Sequence, residues 1–378
     1  MSKKSNKVFM IFSALCILFV VDAHAGSPLG ILKNLFPYNS FFMPAFCFIS
    51  GYFFKHEKLN SYGAFIFYKM KKLWIPFVIW NIIYGLFVNV LKHFEIIYYG
   101  ERVSLETIFI RPFLDCTMFQ FNNPAWFVPA LFSVIVVYSF FRKCLSSCWN
   151  EYVMSLVFIL FGTICVFFSR KGYYANPNIL FILKTGFLMQ FYQLGYLFKT
   201  HMERVYHRIP TALALIIPIL INIICIYISE NKIYFNNLAS MSGFLTDYYI
   251  LPFLTSISGI LFWIKISELL VPALANNKVV NFVSDNTWAI MMHHIFFFNI
   301  YNVILAVLSK LINQIPFNIK TFRSTAWYIF DPMPACAVVY VFFGMAGPLY
   351  IKYVIGNLRK MKRHKEACQS CHEGGGRD

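Results

Sequence analysis
The residues best suited to chemistry in this sequence are three histidines. His24 follows the apolar run Leu18-Phe19-Val20-Val21-Asp22-Ala23, and His293 and His294 sit side by side in Met291-Met292-His293-His294. Imidazole is the side chain best suited to moving a proton near neutral pH. An ionisable residue at membrane depth is costly and by default suggests function. Asp22 stands two positions before His24, so on one helix the two point to different faces, and Asp22 would orient the imidazole only if the helix ended there. The blander reading places Asp22 and His24 just past the hydrocarbon, at the interface, and position alone leaves both open. Adjacent histidines cannot share a helical face, so at most one of His293 and His294 is expected to line a cavity; a lone histidine in a bundle is otherwise a hydrogen-bonded packing residue.

Lys69, Lys71 and Lys72 immediately precede an apolar span. They read either as ordinary positive flanking of that span or as an anion site for a phosphorylated cofactor, since lysine meets phosphate as a point charge. Phe42-Met43-Pro44-Ala45-Phe46-Cys47-Phe48-Ile49-Ser50-Gly51-Tyr52-Phe53 combines aromatics with a helix-kinking Pro and a small Ser-Gly pair, which packing explains. Asn122-Asn123-Pro124-Ala125-Trp126 reads as a polar cap with an interfacial Trp opening the next span.

The elements that must carry these residues are membrane helices. The 378 residues are 59% hydrophobic and 20% aromatic, with only 13% charged, against about 25% charged in soluble domains. Mean hydropathy is +0.61. Apolar runs long enough to cross a bilayer as helix recur throughout; they are continuous rather than alternating, which argues against a barrel. The fold class is therefore an all-α polytopic bundle of about ten transmembrane helices. They are placed at Val8–Val21, Leu35–Phe54, Leu73–Leu91, Ala125–Phe141, Tyr152–Phe168, Ile179–Phe198, Thr211–Ile228, Tyr248–Ile264, Trp288–Leu308 and Ala335–Val354. Lys and Arg concentrate on the segments that lie inside if the N-terminus is cytoplasmic, which puts both termini in the cytoplasm. This divides the chain into a short N-terminal segment, 1–7, a membrane domain, 8–355, and a basic, disordered cytoplasmic tail, 356–378.

The net charge of +17 is mainly a topology signal. It flanks spans rather than forming one soluble face, so no nucleic-acid partner is expected, whereas membrane lipids are. Two patterns imitate other functions. The N-terminal lysines, apolar stretch and Ala23-His24-Ala25 resemble a cleavable signal peptide. Cys368-Gln369-Ser370-Cys371-His372 matches the c-type haem attachment spacing, but it lies in the predicted cytoplasmic tail, where such attachment does not normally occur, and it lacks the four ligands of a closed zinc site. No metal is expected. The remaining cysteines read as small buried apolar residues.

In order and spacing these segments resemble the membrane acyltransferase 3 family, especially its sugar O-acetyltransferase branch. The likeness rests on the first helix ending at His24, on Met43-Pro44-Ala45-Phe46-Cys47-Phe48-Ile49-Ser50-Gly51-Tyr52, on Lys69-Met70-Lys71-Lys72-Leu73-Trp74-Ile75-Pro76, and on Trp126-Phe127-Val128-Pro129-Ala130-Leu131-Phe132. A late span with Trp288 and His293-His294 also fits. The sequence departs from the family pattern at Ser13, where an Arg is common, at Phe42, where the sugar-acetylating branch often has His, and in having Lys where the basic pair is usually Arg-rich.

The resemblance implies transfer of an acyl group, commonly acetyl from acetyl-CoA, to a hydroxyl of a surface polysaccharide or lipid-linked sugar. It implies an essential role for His24 and acyl-CoA handling by Lys69 and Lys72, with Lys71 and Trp126 beside them. Asp22, His293 and His294 complete the candidate catalytic set. A bacterial cytoplasmic membrane is the implied location. With His24 near the outer face and the lysines inside, the acyl group would have to cross part of the membrane within the bundle. A flippase or polymerase of lipid-linked glycans is the rival reading; transport would predict paired charges across several spans or an internal repeat, and neither is visible.

Overall fold
The structure is a computed structural model describing residues 3–230, 235–244, 248–312, 315–330, 336–354 and 357. The 368–372 motif and nearly all of the basic tail lie outside the described residues. Each of the ten expected spans is helical. In chain order the helices are α1 (Lys3–His24), α2 (Tyr38–Tyr52), α3 (Tyr62–Lys69), α4 (Ile75–His93), α5 (Leu105–Phe109), α6 (Arg111–Leu114), α7 (Phe127–Cys144), α8 (Glu151–Arg170), α9 (Pro177–Leu197), α10 (Glu203–Arg208), α11 (Thr211–Ile228), α12 (Leu251–Leu274), α13 (Lys278–Asp285), α14 (Thr287–Leu311), α15 (Ile319–Ser324) and α16 (Cys336–Val354). Two three-residue strands, Phe235–Asn237 and Ser242–Phe244, form an antiparallel hairpin between α11 and α12.

Among the described residues, eight helical segments are both long and apolar enough to span a bilayer. The two expected spans outside that set, α2 and α9, form the centre of the bundle. Most of α2 is buried, and α9 buries Lys184, Gln190 and Gln193 along with its apolar residues. Interior helices need not be lipophilic all round, because protein rather than lipid surrounds them. The pair cross with backbones in near contact: a Cβ on Gly51 would overlap the Tyr192 carbonyl, and one on Gly195 the Phe48 carbonyl. Small residues at a crossing allow this approach, and Gly51 and Gly195 do so here, whereas Ser50 lines a cavity.

Helices α1 and α12 pack against α2, and α14 packs against α1 and the 3₁₀ segment Gln120–Trp126. Helix α1 starts near α13, where Lys7 donates to Asn276 at 3.1 Å, and the hydroxyls of Ser13 and Ser284 lie 2.8 Å apart. The same end of the bundle holds Tyr52, whose hydroxyl donates to Glu203 at 2.8 Å. We call this end, where α1 begins, the near face, and the opposite end the far face. Helix α3 joins α4 through a π-helical turn, Met70–Trp74, a form found mostly as an interruption within α-helices and often at functional sites.

Candidate active site
Helix α1 stops at His24 because Gly26 takes a left-handed conformation, φ +85°, the usual glycine C-terminal stop. There Nδ1 of His24 lies 2.7 Å from Nε2 of His294 on α14, with the rings stacked at 4.9 Å and 12°. Nδ1 of His294 lies 2.8 Å from the carbonyl oxygen of Ile290, one turn back on its own helix. A carbonyl can only accept, so His294 carries its proton on Nδ1. Neutral His294 then accepts at Nε2, and His24 must donate from Nδ1. The chain of bonds leaves Nε2 of His24 with an unprotonated lone pair. Among the described residues nothing bonds to that atom, and His24 is half-buried whereas His293 and His294 are fully buried.

The pairing sets the end of α1 against α14. Met10 and Ser13 line one cavity with Thr287 and Trp288 at the start of α14, and His24 meets His294 further along it, so α1 and α14 advance in the same direction. His294 lies only two turns into α14, and the helix continues for roughly 25 Å beyond it at 1.5 Å per residue. His24 closes a helix that is by itself long and apolar enough to span a bilayer, and it meets α14 well before that helix ends. The chain beyond α15 folds back to cover it: the Trp327 ring centroid lies 5.1 Å from the imidazole at 58°.

Asp22 does not orient His24. Its carboxylate accepts the backbone amides of Leu29 at 2.9 Å and Gly30 at 3.2 Å, pinning the loop after α1. The helix does end at His24, but the loop amides hold the carboxylate.

His293 points the other way from His294, as adjacency requires. Its Nδ1 lies 2.8 Å from the Tyr84 hydroxyl on α4, its ring packs edge-on to Trp80 at 4.4 Å, and its Nε2 is buried without a partner among the described residues. Nearby, Asn122 donates to the Asn81 side chain at 3.0 Å and accepts from the Phe119 amide at 3.1 Å. The expected polar cap is thus a buried brace between α4 and the 3₁₀ segment Gln120–Trp126. Trp126 is half-buried and packs edge-on against Phe127 at 5.9 Å.

A cavity of about 490 Å³ opens between α1, α2, α7 and α14 on the near-face side. Its walls include Phe46, Leu73, Phe127 and Trp288, and Met291, one turn before His294, also lines it. Leu73 belongs to the π turn that carries Lys71 and Lys72, both exposed; Lys71 lies over the Phe67 ring at 4.3 Å and half-buried Lys69 over Phe65 at 5.6 Å. The structure therefore gathers His24 with His294, and sets His293 and the lysines apart from that pair. Tyr84, Trp80, Asn81 and Trp327 escaped the sequence reading. The signal for the first three was present: they are hydrogen-bonding side chains in the apolar run of α4.

A family model described as an acyltransferase domain matches residues 13–353. No curated protein and no solved structure matches. The match takes in His24, the lysine turn, Trp126 and both late histidines, and with helices long and apolar enough to span a bilayer it makes this chain an integral membrane protein of the acyltransferase 3 family.

Proposed function
We propose that this protein transfers an acyl group, most simply acetyl, from acyl-CoA to a hydroxyl of a surface polysaccharide or lipid-linked sugar, in a bacterial cytoplasmic membrane. The observation that carries the reading is the hydrogen-bond chain from His24 through His294 to the Ile290 carbonyl. It fixes one tautomer and leaves Nε2 of His24, in a ring that packs against Trp327, as a free base. In the reaction the acceptor oxygen bonds to the thioester carbonyl carbon while its proton passes to Nε2 of His24. The carbon–sulfur bond then breaks, and the thiol leaves with that proton, restoring neutral His24.

The donor side fits the near-face cavity. Lys71 and Lys72 are free of ion pairs among the described residues and suit the phosphates of CoA, while the apolar walls suit its thioester arm. Along the π turn and α4, Lys72 and Tyr84, whose hydroxyl meets His293, are about 18 Å apart by helical rise.

Mass spectrometry of surface glycans tests the reading in cells with the wild-type protein, with a deletion, and with His24→Ala. We expect an ester-linked mass increment to vanish in both mutants while glycan chain length holds. Shortened or stranded glycan in the deletion would support the flippase or polymerase alternative instead. An ester that persists in His24→Ala would remove His24 from the mechanism.

A further inference from the structure
Trp327 is an exposed indole on a turn that the bundle holds from both sides. The side-chain amide of Asn299 on α14 donates to the carbonyl of Ala326 at 3.1 Å, and that of Asn302 donates to the carbonyl of Tyr328 at 2.8 Å. The Tyr340 hydroxyl on α16 donates to the Asn302 side chain and accepts the Phe330 amide at 3.0 Å. Ala326 and Phe330 are 2% and 0% exposed, yet Trp327 between them is 40% exposed. Two buried asparagines and a buried tyrosine thus fix a turn whose large apolar side chain is left open. That open ring meets the imidazole of His24 at an angle. Another exposed ring, Phe94, stands beside His93 at 5.3 Å, but that imidazole is itself exposed and, among the described residues, no hydrogen-bond chain sets its tautomer.

We propose that Trp327 is the stacking platform for a pyranose ring of the acceptor, and so makes the site select cyclic sugars over open-chain polyols. The inference rests on the acyl-transfer reading of His24. A pyranose carries apolar C–H faces and a rim of hydroxyls. An indole face covers the former and leaves the latter free. The corner between Trp327 and His24 then brings a rim hydroxyl toward Nε2. Asn299 and Asn302 act through the turn, as positioning residues.

The test uses the full-length protein in lipid nanodiscs, labelled acetyl-CoA, and glycan isolated from cells lacking the protein. In Trp327→Ala the KM for glycan should rise by roughly tenfold, with a much smaller change in kcat, and Trp327→Phe should recover most of the loss. Methyl glucopyranoside should inhibit the wild-type protein more than sorbitol does, and Trp327→Ala should lose that difference. An unchanged KM in Trp327→Ala would overturn the inference alone. So would a loss confined to kcat with a displaced pH profile, which would make Trp327 a support for His24. If the wild-type protein transfers no acetyl to the glycan, the acyl-transfer reading fails and the inference with it.

Discussion
Two buried polar regions of this protein are built on opposite plans. In the first, Arg142 at the end of α7 holds Glu151 at the start of α8 through two bonds, 2.6 and 3.1 Å. Around this pair Gln193 and Trp149 donate to the same carboxylate, the Arg142 guanidinium lies 4.2 Å from the Tyr196 ring centroid, and its remaining donors reach Tyr138 and His56. Every strong group has a partner. In the second, the histidines of α1 and α14 form a chain that ends on a free nitrogen at His24, and His293 keeps another unpartnered one. A closed network fixes geometry, since a half-satisfied one is costly; a site that must handle a proton needs an open valence. The difference assigns Arg142–Glu151 to holding the helices and His24 to chemistry.

The comparison can be broken most sharply by exchanging insults. His24→Ala should cut ester transfer by about 10²–10⁴-fold, the usual worth of a general base, with the detergent-solubilised protein melting as before. Glu151→Ala leaves a buried guanidinium without its carboxylate, a change that costs about 3–5 kcal/mol. Here the melting temperature and folded yield should collapse, while whatever folds turns over normally. Two variants with the same profile would end the division of labour.

A smaller effect sharpens the histidine side. His294→Leu removes the acceptor that sets the tautomer of His24. Transfer should fall by about 10-fold or more and the pH–rate profile should move, as expected when a partner of the base is altered. A drop with an unmoved profile would mean that His294 only packs.

The smallest effect concerns a third cluster, at the near face. His207 lies 3.1 Å from Glu268 and 3.8 Å from Glu203, and its pKa is raised, first by the bond to Glu203 and then by Glu268, against the opposing effect of burial. A raised folded value means the stabilisation is full below the unfolded value of about 6.5 and fades as pH rises through the folded one. For a partly exposed pair this amounts to about 1 kcal/mol or less. Melting temperature measured across that window should decline slightly in the wild-type protein and lose this component in His207→Gln.

Much of this architecture was legible without coordinates. Each of the ten apolar runs falls on helix, and eight helical segments among the described residues are long and apolar enough to span, because a span through hydrocarbon must satisfy its backbone internally and be apolar where lipid touches it. The same rule misjudged α2 and α9 as ordinary spans: it reads hydropathy, and the two helices are buried by neighbours. The cysteines were read as buried; Cys16, Cys47, Cys116, Cys165 and Cys225 are, but Cys144 and Cys148 are exposed in the turn after α7. The divergence of His293 from His294 followed from adjacency on one helix. The choice of Asp22 as partner for His24 did not survive, because sequence proximity favoured it while the loop amides of Leu29 and Gly30 were the better-placed donors.

By itself the sequence determined the membrane class, the all-α fold and the presence of histidines in apolar helices, all consequences of local composition and periodicity. Only the tertiary structure decided which histidine works with which. His24 meets a residue 270 positions away, and that meeting depends on the shared direction of α1 and α14, on the depth at which Gly26 stops α1, and on a turn near the end of the chain that lays Trp327 over the site. Helix direction and depth are set by packing against every other helix, and no local pattern in the chain records them.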